Sequence, residues 1–448
     1  MNPSTPTDPA APAAPAAPPD ATPVARGERI TALDAVRGFA LLGILLLNIV
    51  GFALYHEAYD NPTSAGGATG INLWFWYVLH VIAEGKMRCL FSLVFGASAV
   101  LLMARLEGRP EAADIYYRRT LWLLVFGIAH AFLLWQGEIL YPYALCGFAL
   151  YPFRRMRPRG LVLIAGALIA YCSIFYFVMG HQAAEKMAAG QAAVAKAGHG
   201  ESLTEEENDA RQEWEKMIRS RNPDAETLAK DAAEWRGNPW RVIKARADVV
   251  MMWSSIPYYH AWNMDVLSMM LIGMALMKTG VLGGARSSRF YAVLAATGYL
   301  VGLPLHAANG WAIIRADFRP DVQGYASSVY DLGRLAVACG HLGLLLWLCK
   351  RGLLRGLTDR LGAVGQMALT NYITHSVVCA FLFTGYGLGL YGRLERYQLY
   401  FVVAGLWAFQ LIVSPIWLRH FRFGPLEWGW RSLTYWQRQP MRLAPAGR

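Results

Sequence analysis

Apolar residues in this chain are gathered into runs, and residues 38–55, 160–179 and 398–418 each approach or reach the roughly 20 apolar positions that cross a hydrocarbon core about 30 Å thick. A chain with several such runs is restricted to an all-α, polytopic membrane bundle, because the bilayer interior offers no water to an unpaired backbone group. Composition agrees: of the 448 residues, 55% are hydrophobic and only 16% charged, and the mean hydropathy is +0.27. The net charge of +11 would point to a nucleic-acid partner in a soluble chain. Here the arginines cluster in short segments between apolar runs, so the charge reports orientation and no nucleic-acid partner is expected.

Arg26, Arg29 and Arg37 precede or open the first run, which places the N-terminus inside. The segment 56–70 carries no Lys or Arg and suits the outside. The polar break "EGKMR" at 84–88 divides residues 71–105, and the first piece reads as an interfacial or re-entrant helix on the outer side, where Trp and Tyr prefer to sit. About ten spans are expected: 34–55, 88–105, 118–135, 138–153, 160–180, 259–279, 289–311, 329–349, 363–388 and 398–418. That count places 154–160, 278–289, 350–360 and the arginine-rich tail on the inner side. The expected setting is the bacterial inner membrane, with both termini cytoplasmic.

Four segments follow. Residues 1–28 form a Pro/Ala-rich cytoplasmic tail too poor in large apolar side chains to build a core. Residues 29–180 and 247–448 form two membrane bundles, the second with a cytoplasmic tail. Residues 181–246 hold 12 of the 31 acidic residues and form an extracytoplasmic helical excursion, either a lid or a solvated loop, with a helix start at Ser202 and Glu205 by capping-box spacing. The six cysteines lie in or at the ends of apolar runs with no CxxC or His-Cys ligand spacing, so no metal site is expected.

Acids near membrane depth are few, chiefly Asp34, Glu84, Glu138, Asp265 and Asp331, and each needs a reason. Asp34 and Arg37 stand at i and i+3 and can pair on one helix face, with Asn48 further along the same helix. His80 and Glu84 stand at i and i+4, so a carboxylate could orient an imidazole as general base, although the same spacing also occurs in purely structural pairs. Lys86 and Arg88 suit a phosphate, carboxylate or thioester oxygen, or lipid headgroups. Glu138 is expected to share the outer vestibule with Glu84, while His130 reads as a hydrogen-bonded core histidine. Asn371, Tyr372 and His375 either line a cavity or join helices. His260, Asn263 and Asp265 are candidates for the same vestibule, and Glu427 and Arg431 have pairing distance on an interfacial helix.

"LDAVRG" at 33–38, "EGKMRCLFSLVFG" at 84–96, "VGQMALTNYITHS" at 364–376 and "FRFGPLEWGWRSLTYW" at 421–436 together resemble the landmarks of the bacterial YeiB-like membrane family, whose shared region is a domain of unknown function. That family is in turn similar to the transmembrane acetyltransferases typified by heparan-alpha-glucosaminide N-acetyltransferase. The resemblance implies transfer of an acyl group, acetyl first, from cytoplasmic acyl-CoA to an extracytoplasmic sugar-like acceptor. Those enzymes carry a histidine in an H-A-x-W stretch before the second span; the matching slot here falls near Trp74 or Phe75, with His80 the nearest histidine and Glu84 close to the acid that follows.

Three function classes follow. In the first, a membrane acyltransferase uses acyl-CoA as donor, His80 and Glu84 as catalytic pair, and Asp34, Arg37, Asn48, Lys86, Arg88, Glu138, Asn371, Tyr372 and His375 as binding residues. In the second, a transporter or flippase uses the same polar residues as a path. The third is a non-catalytic envelope partner. Membrane lipids and a small-molecule or glycan acceptor are the expected partners, and a homodimer is left open.

Overall fold

The computed structural model describes residues 30–254 and 257–443, leaving aside the side chains of 253, 254, 257 and 258. The tail expected at 1–28 lies outside the described residues. Within them every regular element is a helix, and extended pairing is limited to one bridge between Phe421 and Arg442.

Helix α1 (Thr31–Ala53) is followed by a loop and by α2 (Gly70–Ile82), which turns at Ala83–Gly85 into α3 (Lys86–Arg105). Next come α4 (Ala112–Leu133) and the short α5 (Leu140–Leu150), then α6 (Pro158–Gly198). Three helices stand between α6 and the second bundle: α7 (Glu205–Arg221), α8 (Ala225–Trp235) and α9 (Pro239–Ser254). The second bundle holds α10 (Pro257–Lys278), α11 (Ser288–Arg315), α12 (Pro320–Ser328), α13 (Tyr330–Arg351), α14 (Arg355–Gln366), α15 (Ala368–Phe383), α16 (Arg396–His420) and α17 (Pro425–Tyr435).

Among the described residues six helical stretches are long and apolar enough to cross a membrane: α1, α2 with α3, α6, α11, α13 and α16. The chain is therefore a multi-pass, all-helical membrane protein. Apolar side chains exposed on these helices agree, as with Leu163 and Ile174 on α6, Leu300 on α11 and Phe401 on α16. The expected count of ten is not reached on length and apolarity alone. At 11 and 16 residues, α5 and α15 are shorter than the roughly 20 that span a core. The first carries the turn after α4, and the second continues α14 across a break at Met367.

Both edges expected for the excursion fall inside helices. Residue 181 lies within the 41-residue α6, and residue 246 within α9. The Ala-rich stretch after His181 contains no Pro, so nothing stops the helix where the apolar run ends. The capping box forms two residues later than expected, with Thr204 accepting from the Glu207 amide and Glu207 accepting from the Thr204 amide. The same Ser/Thr-x-x-Glu spacing occurs twice in this stretch, and the second copy caps α7. The excursion is not a free loop: Trp235 stacks on Tyr391 and its carbonyl accepts from the Gly385 amide at 2.9 Å.

Two large packed regions hold the bundle, beside two small ones around Trp76 and Met367. The larger is centred on Leu41, Leu90, Met270 and Leu342. The other joins Phe52, Trp135 and Phe383 to Trp235 of α8. Helix α1 crosses α14 closely, since a Cβ at Gly38 would come within 2.0 Å of the Leu361 oxygen and one at Gly365 within 1.9 Å of the Asp34 oxygen. Small residues permit such approaches where lipid supplies no hydrophobic drive between helices.

Candidate functional site

The turn between α2 and α3 opens a polar site. Gly85 takes a φ of +64°, and a Cβ there would meet the Tyr330 hydroxyl at 1.9 Å, so the left-handed turn and the contact both require glycine. The turn lets His80, Glu84 and Arg88 reach one cavity of about 470 Å³, walled also by α1, α6, α10, α11, α13 and α16.

Its floor is a closed set of charges. Arg88 donates to Asp265 at 2.7 Å, and Arg334 donates to the same carboxylate with both terminal nitrogens, one bond being 2.9 Å long. Asp331 completes the set at 3.0 Å from Arg334. Two arginines and two aspartates cancel, which is the condition under which ions persist in a membrane interior. Arg88 also lies over the Trp262 ring, 5.5 Å from its centroid.

Above the floor, Tyr330 donates to the Glu84 carboxylate and lies 3.0 Å from the Glu84 carbonyl. Lys86, fully buried, donates to the His80 carbonyl at 2.6 Å. His80 stacks on Trp76 with centroids 5.0 Å apart. Its Nε2 meets the Asn309 Oδ1 at 3.0 Å, while Asn309 Nδ2 donates to the Ala326 carbonyl at 2.9 Å. The second bond fixes the first: with its amide nitrogen engaged, Asn309 can only accept from His80, so Nε2 carries the proton and Nδ1 keeps a lone pair.

The expected His80 and Glu84 pair does not form. Helix α2 ends at Ile82, so the two side chains leave their shared face and take Asn309 and Tyr330 as partners. Lys86 and Arg88 are committed to His80 and Asp265.

Other expected residues lie elsewhere. Asp34 and Arg37 pair with each other at the opposite end of α1, where Arg37 also donates to Ser98 at 3.0 Å. On α1 the cavity wall is Leu47 and Val50, with Asn48 half-buried beside them. Glu138 does not face the vestibule; its carboxylate accepts from the first amides of α5 and from His130 Nδ1. His130 Nε2 in turn meets Ser376 Oγ at 2.7 Å, a buried link from α4 to α15. Asn371 donates to Ser414 at 3.1 Å, and His375 meets Gln410 at 2.8 Å, so these side chains join α15 to α16. Tyr372 is buried with its ring 5.1 Å from that of His130. Of the vestibule candidates on α10, His260 is exposed, Asn263 bonds within its own helix, and Asp265 alone lines the cavity. Glu427 caps the start of α15, accepting from Leu369 and Thr370.

Sequence reasoning missed Arg334, Tyr330, Asn309 and His306. His306 is buried edge-on to His80 and Tyr330, with neither ring nitrogen hydrogen-bonded. One signal was present for Arg334: Asp331 and Arg334 repeat the i, i+3 spacing of Asp34 and Arg37 at the start of an apolar helix. Among the described residues no group of three or more His, Cys, Asp or Glu side chains is arranged to hold a metal.

The family model "Protein of unknown function (DUF418)" matches residues 276–437. The chain is 33% identical to "Uncharacterized protein YeiB" of Escherichia coli (strain K12) over 414 residues, covering 91% of this chain and 96% of that one. It is 29% identical to "Uncharacterized protein YxaH" of Bacillus subtilis (strain 168), covering 94% and 97%. No solved structure matches it.

Proposed function

This chain belongs to the DUF418 family of YeiB-like proteins, and from that premise we propose that it transfers an acyl group, acetyl first, from acyl-CoA to a small polar acceptor held in the cavity. The observation that carries the reading is the fixed tautomer of His80: the Asn309 bond leaves Nδ1 with its lone pair on a residue that lines the cavity with Glu84 and Arg88. In the transfer, Nδ1 takes the proton of the acceptor hydroxyl or amine as its oxygen or nitrogen attacks the thioester carbonyl. The C–S bond breaks, CoA leaves as thiolate, and the imidazolium returns the proton to it. In this reading the bacterial inner membrane hosts the chain with its termini inside, and the cavity serves an acceptor arriving from the outer side.

His80→Ala is expected to lower acyl transfer by about 10²- to 10⁴-fold, the usual contribution of a general base, with the protein still folded. Asn309→Asp should impair the rate too, since a carboxylate would favour the charged imidazole. The assay follows free thiol release from acetyl-CoA by purified protein in nanodiscs. An unchanged rate in His80→Ala would remove the base, and the absence of thiol release with any acyl-CoA and sugar amine would remove the reaction.

A second reading, transport, is favoured by the break between α2 and α3, because discontinuous helices commonly frame transporter sites. Counterflow of an amino sugar in proteoliposomes without thiol release would select it.

A further inference from the structure

Four arginines and aspartates close the floor of the cavity, which leaves Asp60, Glu84, Arg221 and Arg396 as the remaining charged lining. Arg396 is 2% exposed, and its guanidinium meets the Ala58 carbonyl at 2.5 Å and lies against the Tyr400 hydroxyl. Its Nε has no hydrogen-bond partner. Arg221, at the end of α7, donates to the Phe318 carbonyl at 3.0 Å and to Gln323. Among the described residues neither arginine forms an ion pair with a carboxylate. Both lie against the loop after α1: Arg396 holds Ala58, and Asn61 donates to the Arg221 carbonyl at 3.2 Å.

An arginine kept only to tie down a carbonyl is a costly choice, because it carries a permanent charge into a buried place where a neutral donor would serve. Arg396 is such an arginine, Arg221 is half-buried beside the same cavity, and the carboxylates that share the lining are Glu84 and Asp60. The Glu84 carboxylate is engaged by Tyr330 and Asp60 is exposed, so neither neutralises these guanidinium groups at contact distance.

We infer that Arg396 and Arg221 form an oxyanion subsite at the roof of the cavity, and that its ligand carries a phosphate ester. Guanidinium groups from two elements, with the Tyr59 hydroxyl lining the same cavity, match the several acceptor oxygens of a phosphate better than a single point charge does. Leu47, Val50, Leu79 and Ile313 wall the space below and suit the less polar remainder of the molecule. This deepens the acceptor reading above and rests on the cavity being the acceptor site.

The test uses full-length protein in phosphatidylcholine nanodiscs, titrated with glycerol 3-phosphate and, separately, with acetate. Trp76 and Trp262 line the cavity and report binding by fluorescence. Saturable binding of the phosphate ester is expected, weakened tenfold or more by Arg396→Gln and by Arg221→Gln and largely kept by Arg396→Lys. Arg289→Gln, in the first turn of α11 and about 30 Å along that helix from Asn309, should bind as wild type. Arg221 stands outside the main bundle, so its variant keeps the test open if Arg396→Gln does not fold.

Repeating the titration in phosphatidylglycerol nanodiscs separates the sources. A headgroup occupant blocks the soluble ester there, and mass spectrometry finds that lipid retained by wild type and lost from Arg396→Gln. Equal binding by both Gln variants, tighter binding of acetate than of the ester, or no saturable response together with no retained anionic lipid would overturn the subsite. His80→Ala should bind the ester normally. Wild type that binds the ester but releases no thiol therefore sinks the transfer reading alone, and wild-type thiol release without ester binding sinks the subsite alone.

Discussion

Arg37 holds three groups at once: the Asp34 carboxylate, the Ser98 hydroxyl at 3.0 Å and the Gly365 carbonyl at 3.3 Å. Removing its charge takes donors from three elements, whereas neutralising Asp34 leaves Arg37 two of its acceptors. Arg37→Gln is therefore expected to cost more folded yield and thermal stability than Asp34→Asn. The double variant should cost less than the sum by about 0.5–3 kcal/mol, the range for residues in contact. Strict additivity in thermal unfolding would show that the pair does not act as one. This contact was legible in the sequence because both partners sit on one helix turn. The floor of the cavity was only half legible. Asp265 and Asp331 stood out as acids needing a reason, but Arg334 meets Asp265 across 69 positions of chain and Tyr330 meets Glu84 across 246, separations that no local spacing encodes.

Elements explain the next layer of what the sequence concealed. Polarity in α15 was equally suited to lining a cavity or joining helices, and its bonds to Ser414 and Gln410 show that it joins α16. The letters of α15 do not carry that answer, since it depends on which neighbour faces it. Likewise His80 and Glu84 are an i, i+4 pair only if the helix continues, and α2 ends at Ile82, two residues before Glu84. The crossing of α1 and α14 yields a sharper expectation. Gly365→Ala would put a methyl 1.9 Å from the Asp34 oxygen, which forces two packed backbones apart. Overpacking of this kind typically costs about 1–3 kcal/mol or more, and because backbone atoms cannot swing aside the upper end is expected. Gly356→Ala, where a Cβ meets nothing within 4 Å, is the control. Thermal unfolding in detergent of the two variants, compared with wild type, measures the difference, and equal stability would mean that the helices separate without cost.

At the scale of the whole molecule, the orientation proposed for the chain places α7 outside and the α13–α14 turn inside. In a background with the six cysteines replaced, Glu206→Cys should react with a membrane-impermeant maleimide in intact cells, and Asp359→Cys only after permeabilisation. Both residues are exposed, so the opposite result would invert the molecule. The helix that carries α7 outward sets a mechanical condition. At 1.5 Å per residue, the 41 residues of α6 make a rod about 60 Å long, twice the hydrocarbon thickness. Helix α7 folds back along it, with Lys196 paired to Glu207 and Trp214 against Gly190, so that its last residue, Arg221, returns to the level of Ala183 on α6, which lines the same cavity. The apolar run of this helix, residues 160–179, is about 30 Å long and matches one hydrocarbon core, so a thinner bilayer leaves it too long and tilts it. Pivoting by about 10° about Pro158 carries that level sideways by about 6 Å, comparable to the width of a small ligand. The lipid thickness around α6 thus works as a lever on the mouth of the cavity, and a thinner bilayer swings Arg221 relative to Arg396 without any change in either side chain.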